Sequence, residues 1–469
     1  MSDERKLDLV KGLGAWAAVA IVVGTMIGTG IFIVPADMAR TVKTPGLVFA
    51  VWIVGGLLSL FGTFAYAELG AAIPEAGGEY AYLSRGFGPV WGFLFGWMHS
   101  IVGRSSSIAT IAAGLLLFWG FLDPRVLTPL ATIHYSLPWS AAHYAFVFTL
   151  AMPLSVAAIA AVTFVNYLGV RLGGQVQVAL TIIKIAVIAA VIFAGFVLGA
   201  HPAAAMAAER STEHLAGNAT VGGFFVALVA ALWAYDGWDN IGLVGSEVQN
   251  PSRNIPLALV GGVSLVAILY ILTSGACFHV LPFAQAAASP HVVSDVIARV
   301  AGSGVAAWLT VAMIICALGT LNSSILTGAR VDYAMARDGR FFRVARGIHP
   351  RFRTPGNALI FQACLASVLA LTGTFQDLFS LYIFAQWMFY GLSTAAVIRL
   401  RRTEPDLVRP YRTWGYPIVP VLFILGSIAV TLSILIERPL RAGLGLLVIL
   451  IGLFFYRHWS NQQPVHPDA

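Results

Sequence analysis

Apolar runs near 20 residues recur from one end of the chain to the other, separated by short stretches carrying Arg, Asp, Glu, Pro and Gly. A helix that crosses a bilayer needs about 20 residues of this kind. Hydropathy read together with the breakers predicts twelve spans, approximately 14–38, 46–72, 88–120, 143–164, 174–200, 221–247, 256–280, 304–337, 356–374, 377–399, 415–436 and 440–457. The third and eighth exceed the need of a bilayer, so they are expected to tilt strongly or to continue into water. Two spans carry a flaw in their middle. In the first, "GTMIGTGIF" (Gly24–Phe32) crowds glycine and threonine into an apolar run, although each glycine costs a helix interior about 1 kcal/mol relative to alanine. In the sixth, "ALWAYDGWDNIGLVGSEVQNP" (Ala231–Pro251) inserts aromatics, Gly237 and the acids Asp236 and Asp239.

Composition agrees with a polytopic membrane protein. Of the 469 residues 58% are hydrophobic and 10% charged, with mean hydropathy +0.83, against about 25% charge in a soluble domain. The net charge of +7 is no nucleic-acid signal, because the basic residues gather in particular loops, chiefly "RDGRFFRVARGIHPRFR" and "RLRRTEPDLVRPYR". Those loops fall on one side, which the positive-inside rule makes the cytoplasm, with both termini there. The first apolar segment follows "MSDERKLDLVKG" without a cleavage site and is expected to be retained. Cys277, Cys316 and Cys364 lie in apolar segments and read as small buried hydrophobes. They offer neither a disulfide framework nor metal-ligand spacing. No HExxH, GxSxG or paired histidines suggest an enzyme, and no cofactor is implied.

Paired interruptions in corresponding spans point to inverted repeats with a site at the midplane. The breaks lie five spans apart, an odd number, so the halves would have opposite orientations. Unwound backbone cannot face lipid, where each unpaired N–H or C=O costs several kcal/mol. It survives where a ligand completes its hydrogen bonds. The N–H groups of the half-helix starting near Gly30 would attract a carboxylate. Carbonyls released at residues 26 and 233–236 would accept from an ammonium group. Together these describe a site for a free α-amino acid. The alternative, that the glycines only permit close packing or a kink, suits either break taken alone.

At these residues the chain resembles the amino acid–polyamine–organocation superfamily, and within it the L-type amino acid transporters that act as light subunits of heteromeric exchangers. "GTMIGTGIF" is similar to their first-span signature, and "WAYDGWDN" with "SEVQNPSRNIP" to their sixth-span break and following loop. "IPEAGGEYAYLSRGFG", "RVDYAMARDGRF" with "HPRFRTP", and "RRTEPDLVRPYR" extend the likeness over nearly the whole chain. The resemblance implies an all-α, LeuT-like fold: a cytoplasmic segment 1–13, inverted repeats at 14–200 and 221–400, two added helices at 414–458 and a cytoplasmic tail 459–469. It also implies that Thr29 and Gly30 hold the substrate carboxylate, with Thr25 and Gly28 shaping their loop. Met26, Trp233, Tyr235 and Asp236 would surround the amine, with Trp233 also closing over the substrate. Gln386 and Trp387 would shape the side-chain pocket.

Lys184, in "LTIIKIAVIAA", is a lone charge in an apolar run, which costs about 2.5–3.5 kcal/mol on insertion scales and marks function by default. The resemblance places it where sodium-coupled relatives bind an ion, bridging the first break to the eighth span, with Ser323 and Ser324 as partners. That implies sodium-independent transport. Arg104 is similar to a structural arginine of the third span. Asp236 stands where many members for neutral substrates carry glycine or serine, and it would either pair with a cationic side chain or cap the broken helix. Glu68 and Glu247 fall at span ends, where solvated or capping roles are expected. The loop Phe121–His143 lacks the cysteine that light subunits use to join a heavy chain, so no such partner is expected. The expectation is an amino acid exchanger of the bacterial cytoplasmic membrane. A proton-coupled amino acid or polyamine symporter, titrating at Lys184 or Asp236, is the alternative.

Overall fold

The computed structural model describes residues 9–136, 143–199, 220–372, 375–437 and 439–460. Prolines and positive-φ residues cut the chain into helices. α1 (Ala15–Met26) and α2 (Gly30–Val42) are two halves of one interrupted segment, and α2 ends on Lys43 in the left-handed conformation. Pro45 opens α3 (Pro45–Ala72). The short α4 (Glu79–Phe87) is separated by Gly88, φ 100°, from α5 (Pro89–Leu122). α5 widens to a π turn at His99–Gly103, just before Arg104. After a hairpin come α6 (Ala151–Tyr167), α7 (Val170–Leu198) and α8 (Val221–Ala234). The single turn α9 (Asn240–Leu243) follows the second break, and α10 (Pro251–Val280) follows that. The chain continues through α11 (Phe283–Ala288), α12 (Val292–Ala301), α13 (Ser303–Arg337), α14 (Gly356–Thr372), α15 (Phe375–Thr403), α16 (Ile418–Glu437) and α17 (Pro439–Ser460).

Among the described residues nine segments are long and apolar enough to cross a membrane, and α6, α8 and α14 are shorter apolar helices. The fold is not purely helical. β1 (Pro129–Ser136) and β2 (His143–Thr149) form an antiparallel hairpin with Thr132 opposite Val147 and Ile133 opposite Phe146. The fourth expected span, 143–164, therefore begins in a strand, and its helix starts only at Ala151. Windowed hydropathy is blind to period, whereas "HYAFVFT" is aromatic and β-branched, the composition that suits a pleated surface.

α1, α8 and α10 pack around the two breaks, with α3, α7 and α13 behind them. One end of this assembly is tightly shut. Leu13 pairs with Val248 and Ala76 with Val244 as short bridges, and Gly77 N–H donates to Leu243 O at 2.9 Å. Glu247, expected at a solvated span end, is instead buried against Arg330, Nε to Oε1 2.7 Å. Glu68 is buried too, accepting from Arg401 and from Thr413 N–H and Oγ1 at 2.6–2.9 Å. Three long-range arginines, Arg330 for Glu247 and Arg401 with Arg409 for Glu68, make burial of these acids tolerable, which span-end position alone does not show. Cys277 and Cys316 are buried, but Cys364 is exposed on the outer face of α14.

Candidate functional site

The first break follows from packing. A Cβ on Gly24 would lie 2.2 Å from Gln177 Nε2 and Thr181 Oγ1, and both of those side chains donate to Ala20 O, at 3.2 and 3.1 Å. Two residues later the helix ends, and Ile27 leaves it with ψ 86°. The carbonyls that lose their helical partners find others. Lys184 Nζ donates to Gly24 O at 2.5 Å, Ile27 O at 2.7 Å and Thr320 Oγ1 at 2.8 Å. Of the two serines expected beside Lys184, Ser323 hydrogen-bonds Thr25 Oγ1 instead and Ser324 faces the cavity described below. Thr320 takes the place beside the ammonium. Gly319 permits that contact, since a Cβ there would lie 2.7 Å from Lys184 Cε.

The second break turns on Gly237, φ 99°, where a Cβ would lie 2.4 Å from Thr25 Cγ2. The two breaks are joined by a residue that sequence reading passed over. Tyr270 of α10 directs its hydroxyl at Met26 O, 2.6 Å, and at Ala234 O, 3.0 Å. A phenol has one proton. It donates to one of these carbonyls at a time, while Met26 O also accepts from the N–H of Gly28 at 2.8 Å, and a carbonyl oxygen with a second lone pair can still accept a ligand's N–H. Beside Ala234, α2 begins at Thr29–Gly30 with no side chain capping its first turn, so its leading N–H groups retain the partial positive charge that attracts anions.

Between these elements lies a small cavity of about 40 Å³, room for a few water molecules. Thr25, Met26, Gly28, Thr29, Gly30, Trp233 and Asp236 line it, as do Arg104, Thr110, Thr320 and Ser324. The hydroxyls of Thr110 and Ser324 are buried with no hydrogen-bond partner among the described residues. Trp233 stands against the start of α2, close enough that a Cβ on Gly30 would lie 3.2 Å from its ring. Arg104 is buried and donates to Asn240 Oδ1 and to His99 Nε2, the latter at 3.4 Å.

Three expected residues lie elsewhere. Tyr235 packs edge-on against Trp52 and donates to its carbonyl at 3.1 Å. The phase of α15 turns Trp387 toward Phe423 of α16, ring centroids 5.8 Å apart. It turns Gln386 toward Asp239 Oδ2, 3.5 Å from Nε2. Asp236 borders the cavity while its Oδ1 accepts from Tyr390 at 2.8 Å. Glu79, which lay unremarked within "GGEYAY", is buried beside Asp239. Burial, and after it the charge of Asp239, holds its pKa well above the usual carboxylate range.

Comparison with known proteins adds an independent line. The chain is 32% identical to b(0,+)-type amino acid transporter 1 of Mus musculus over 97% of this chain and 89% of that protein. It is 30% identical to the serine/threonine exchanger SteT of Bacillus subtilis (strain 168), covering 96% of each. It is also 30% identical to large neutral amino acids transporter small subunit 2 of Mus musculus, over 98% of this chain and 83% of that protein. The sequence profile described as amino acid permease matches residues 13–455. That match takes in both breaks, Lys184 and every helix lining the cavity, and the chain belongs to the amino acid permease family of the amino acid–polyamine–organocation superfamily.

Proposed function

We propose that this protein is a sodium-independent exchanger of L-amino acids, neutral and cationic, working by alternating access. The observation that carries the reading is the pairing of unlike receptors in one cavity. Met26 O and Ala234 O both meet the hydroxyl of Tyr270, and the uncapped start of α2 at Gly30 borders the same cavity as Met26 and Ala234. An α-ammonium completes the first and an α-carboxylate the second. The relatives named as amino acid transporters and as an exchanger support the substrate class. Sodium independence rests on Lys184, whose ammonium supplies a positive charge to the released carbonyls of Gly24 and Ile27. Catalysis is no part of this reading.

In this reading 14–200 and 221–400 are the two five-span repeats and 414–458 two added helices, twelve crossings in all. Both termini lie in the cytoplasm of a bacterial cell, and the protein works without a heavy chain. The shut end, where Leu13 meets Val248 and Tyr80 donates to Asp338 at 2.8 Å, is then the cytoplasmic gate. The test uses purified protein in liposomes loaded with unlabelled amino acids, in sodium-free buffer, following labelled alanine, leucine and arginine. Uptake that requires internal substrate is the expected result. Equal uptake into empty vesicles, driven by a pH gradient, would replace the exchanger with a symporter.

A further inference from the structure

The hydroxyl of Tyr390 lies 2.8 Å from Oδ1 of Asp236 and 2.7 Å from Oδ1 of Asp239. Both distances are those of full O–H···O hydrogen bonds. A phenol donates one such bond and accepts the rest. With both carboxyl groups ionised, one of the two contacts would set lone pair against lone pair, so one carboxyl oxygen must carry a proton. The surroundings agree. Arg104 from α5 is the one buried cation beside the acids among the described residues, and its neighbour His99 lies 3.4 Å from its Nε. Asp239 and, from α4, Glu79 both face that guanidinium, and Asp236 joins them through the shared hydroxyl of Tyr390. Tyr66 of α3 packs edge-on against Tyr390, and Gln386 of α15 points its amide at Asp239. Excess buried anions are neutralised by protons rather than held charged.

The two acids are not equivalent. Asp239 is buried, whereas Asp236 borders the cavity where the substrate side chain would extend. We propose that Asp236, Tyr390 and Asp239 form a proton-binding site which holds one proton while the cavity is empty or holds a neutral amino acid, and gives it up when a cationic side chain pairs with Asp236. The inference rests on the amino acid carrier reading. The step conserves charge: Asp236 loses its proton to cavity water, its carboxylate pairs with the incoming guanidinium or ammonium, and Tyr390 goes on donating to Asp239. Each cationic substrate then enters against one released proton, and the site keeps the same net charge with either class of substrate.

Purified protein in weakly buffered detergent solution, with a pH-indicator dye and parallel calorimetry, tests this with arginine and alanine as probes. Arginine binding is expected to release about one proton per molecule, and its affinity to weaken about tenfold per pH unit on the acid side, as single-proton linkage requires. Alanine releases none and its affinity stays flat. In Asp239→Asn the hydroxyl of Tyr390 is at the disposal of Asp236 alone, so arginine affinity should lose its pH dependence. If that variant fails to fold, the contrast between arginine and alanine in the unaltered protein decides. Arginine binding with no proton released between pH 5 and 8 overturns the proposal. Alanine binding without arginine binding overturns it and narrows the carrier reading to neutral substrates, and binding of neither overturns both.

Discussion

The ammonium of Lys184 lies 2.5 Å from the carbonyl oxygen of Gly24, the last glycine before α1 breaks. A charge-assisted bond of this kind is worth about 1.5–3 kcal/mol, and the same ammonium also holds Ile27 O, the first carbonyl past the end of α1. Lys184→Ala is therefore expected to cut exchange turnover about tenfold or more, at 1.4 kcal/mol per decade, with a smaller effect on the melting temperature. Gly319→Ala should reproduce it by displacing Lys184 Cε. Timed uptake in proteoliposomes checks both, and unchanged rates in Lys184→Ala would remove the tether from the mechanism.

Tyr270→Phe removes the only side-chain donor seen on Met26 O and Ala234 O among the described residues. Met26 O keeps the N–H of Gly28 at 2.8 Å, whereas Ala234 O loses its side-chain donor, and leaving a buried carbonyl unsatisfied costs about 1–3 kcal/mol. The variant should melt lower and raise KM for all amino acids alike, because the ammonium receptor serves every substrate. A loss confined to one side-chain class would contradict this assignment.

Asp236→Gly is expected to spare alanine exchange and reduce arginine and lysine exchange at least tenfold, since it removes the carboxylate that borders the cavity. Competition of each amino acid against labelled alanine reads the profile directly. An unchanged profile would leave Asp236 as a local cap of the second break.

Glu79 predicts a pH dependence of stability. Its folded-state pKa is raised, by burial first and by Asp239 second. A raised folded value means that the fold accommodates the neutral acid. The contribution is complete below the unfolded carboxylate pKa and is lost as pH rises through the folded value. Glu79→Gln keeps the shape and removes the titration, so its advantage over the unaltered protein should grow with pH. Melting temperatures from pH 5 to 9 measure this, and parallel curves would argue against a neutral Glu79.

The membrane character, both breaks and the lone buried charge of Lys184 were legible in the chain itself. Each is a local contradiction: glycine, aspartate or lysine where an apolar helix would exclude them. Partners were less legible. Thr320, Ser323 and Ser324 occupy neighbouring turns of α13, and only the rotation of that helix decides that Thr320 meets Lys184 while Ser323 meets Thr25. The same applies to α15, where Gln386 and Trp387 turn away from the cavity and Tyr390 reaches both aspartates.

What the sequence determined by itself was therefore where the helices run and where they fail, because those depend on neighbours along the chain. Tertiary structure alone decided which donor meets which released acceptor. Tyr270 and Tyr390 look like ordinary aromatic residues within helices, yet Tyr270 places its hydroxyl between carbonyls of the two breaks, and Tyr390 places its own between the two aspartates of the second. Such sharing arises only when helices far apart in sequence are packed together, because no local pattern along the chain sets a hydroxyl of one helix beside the broken middle of another.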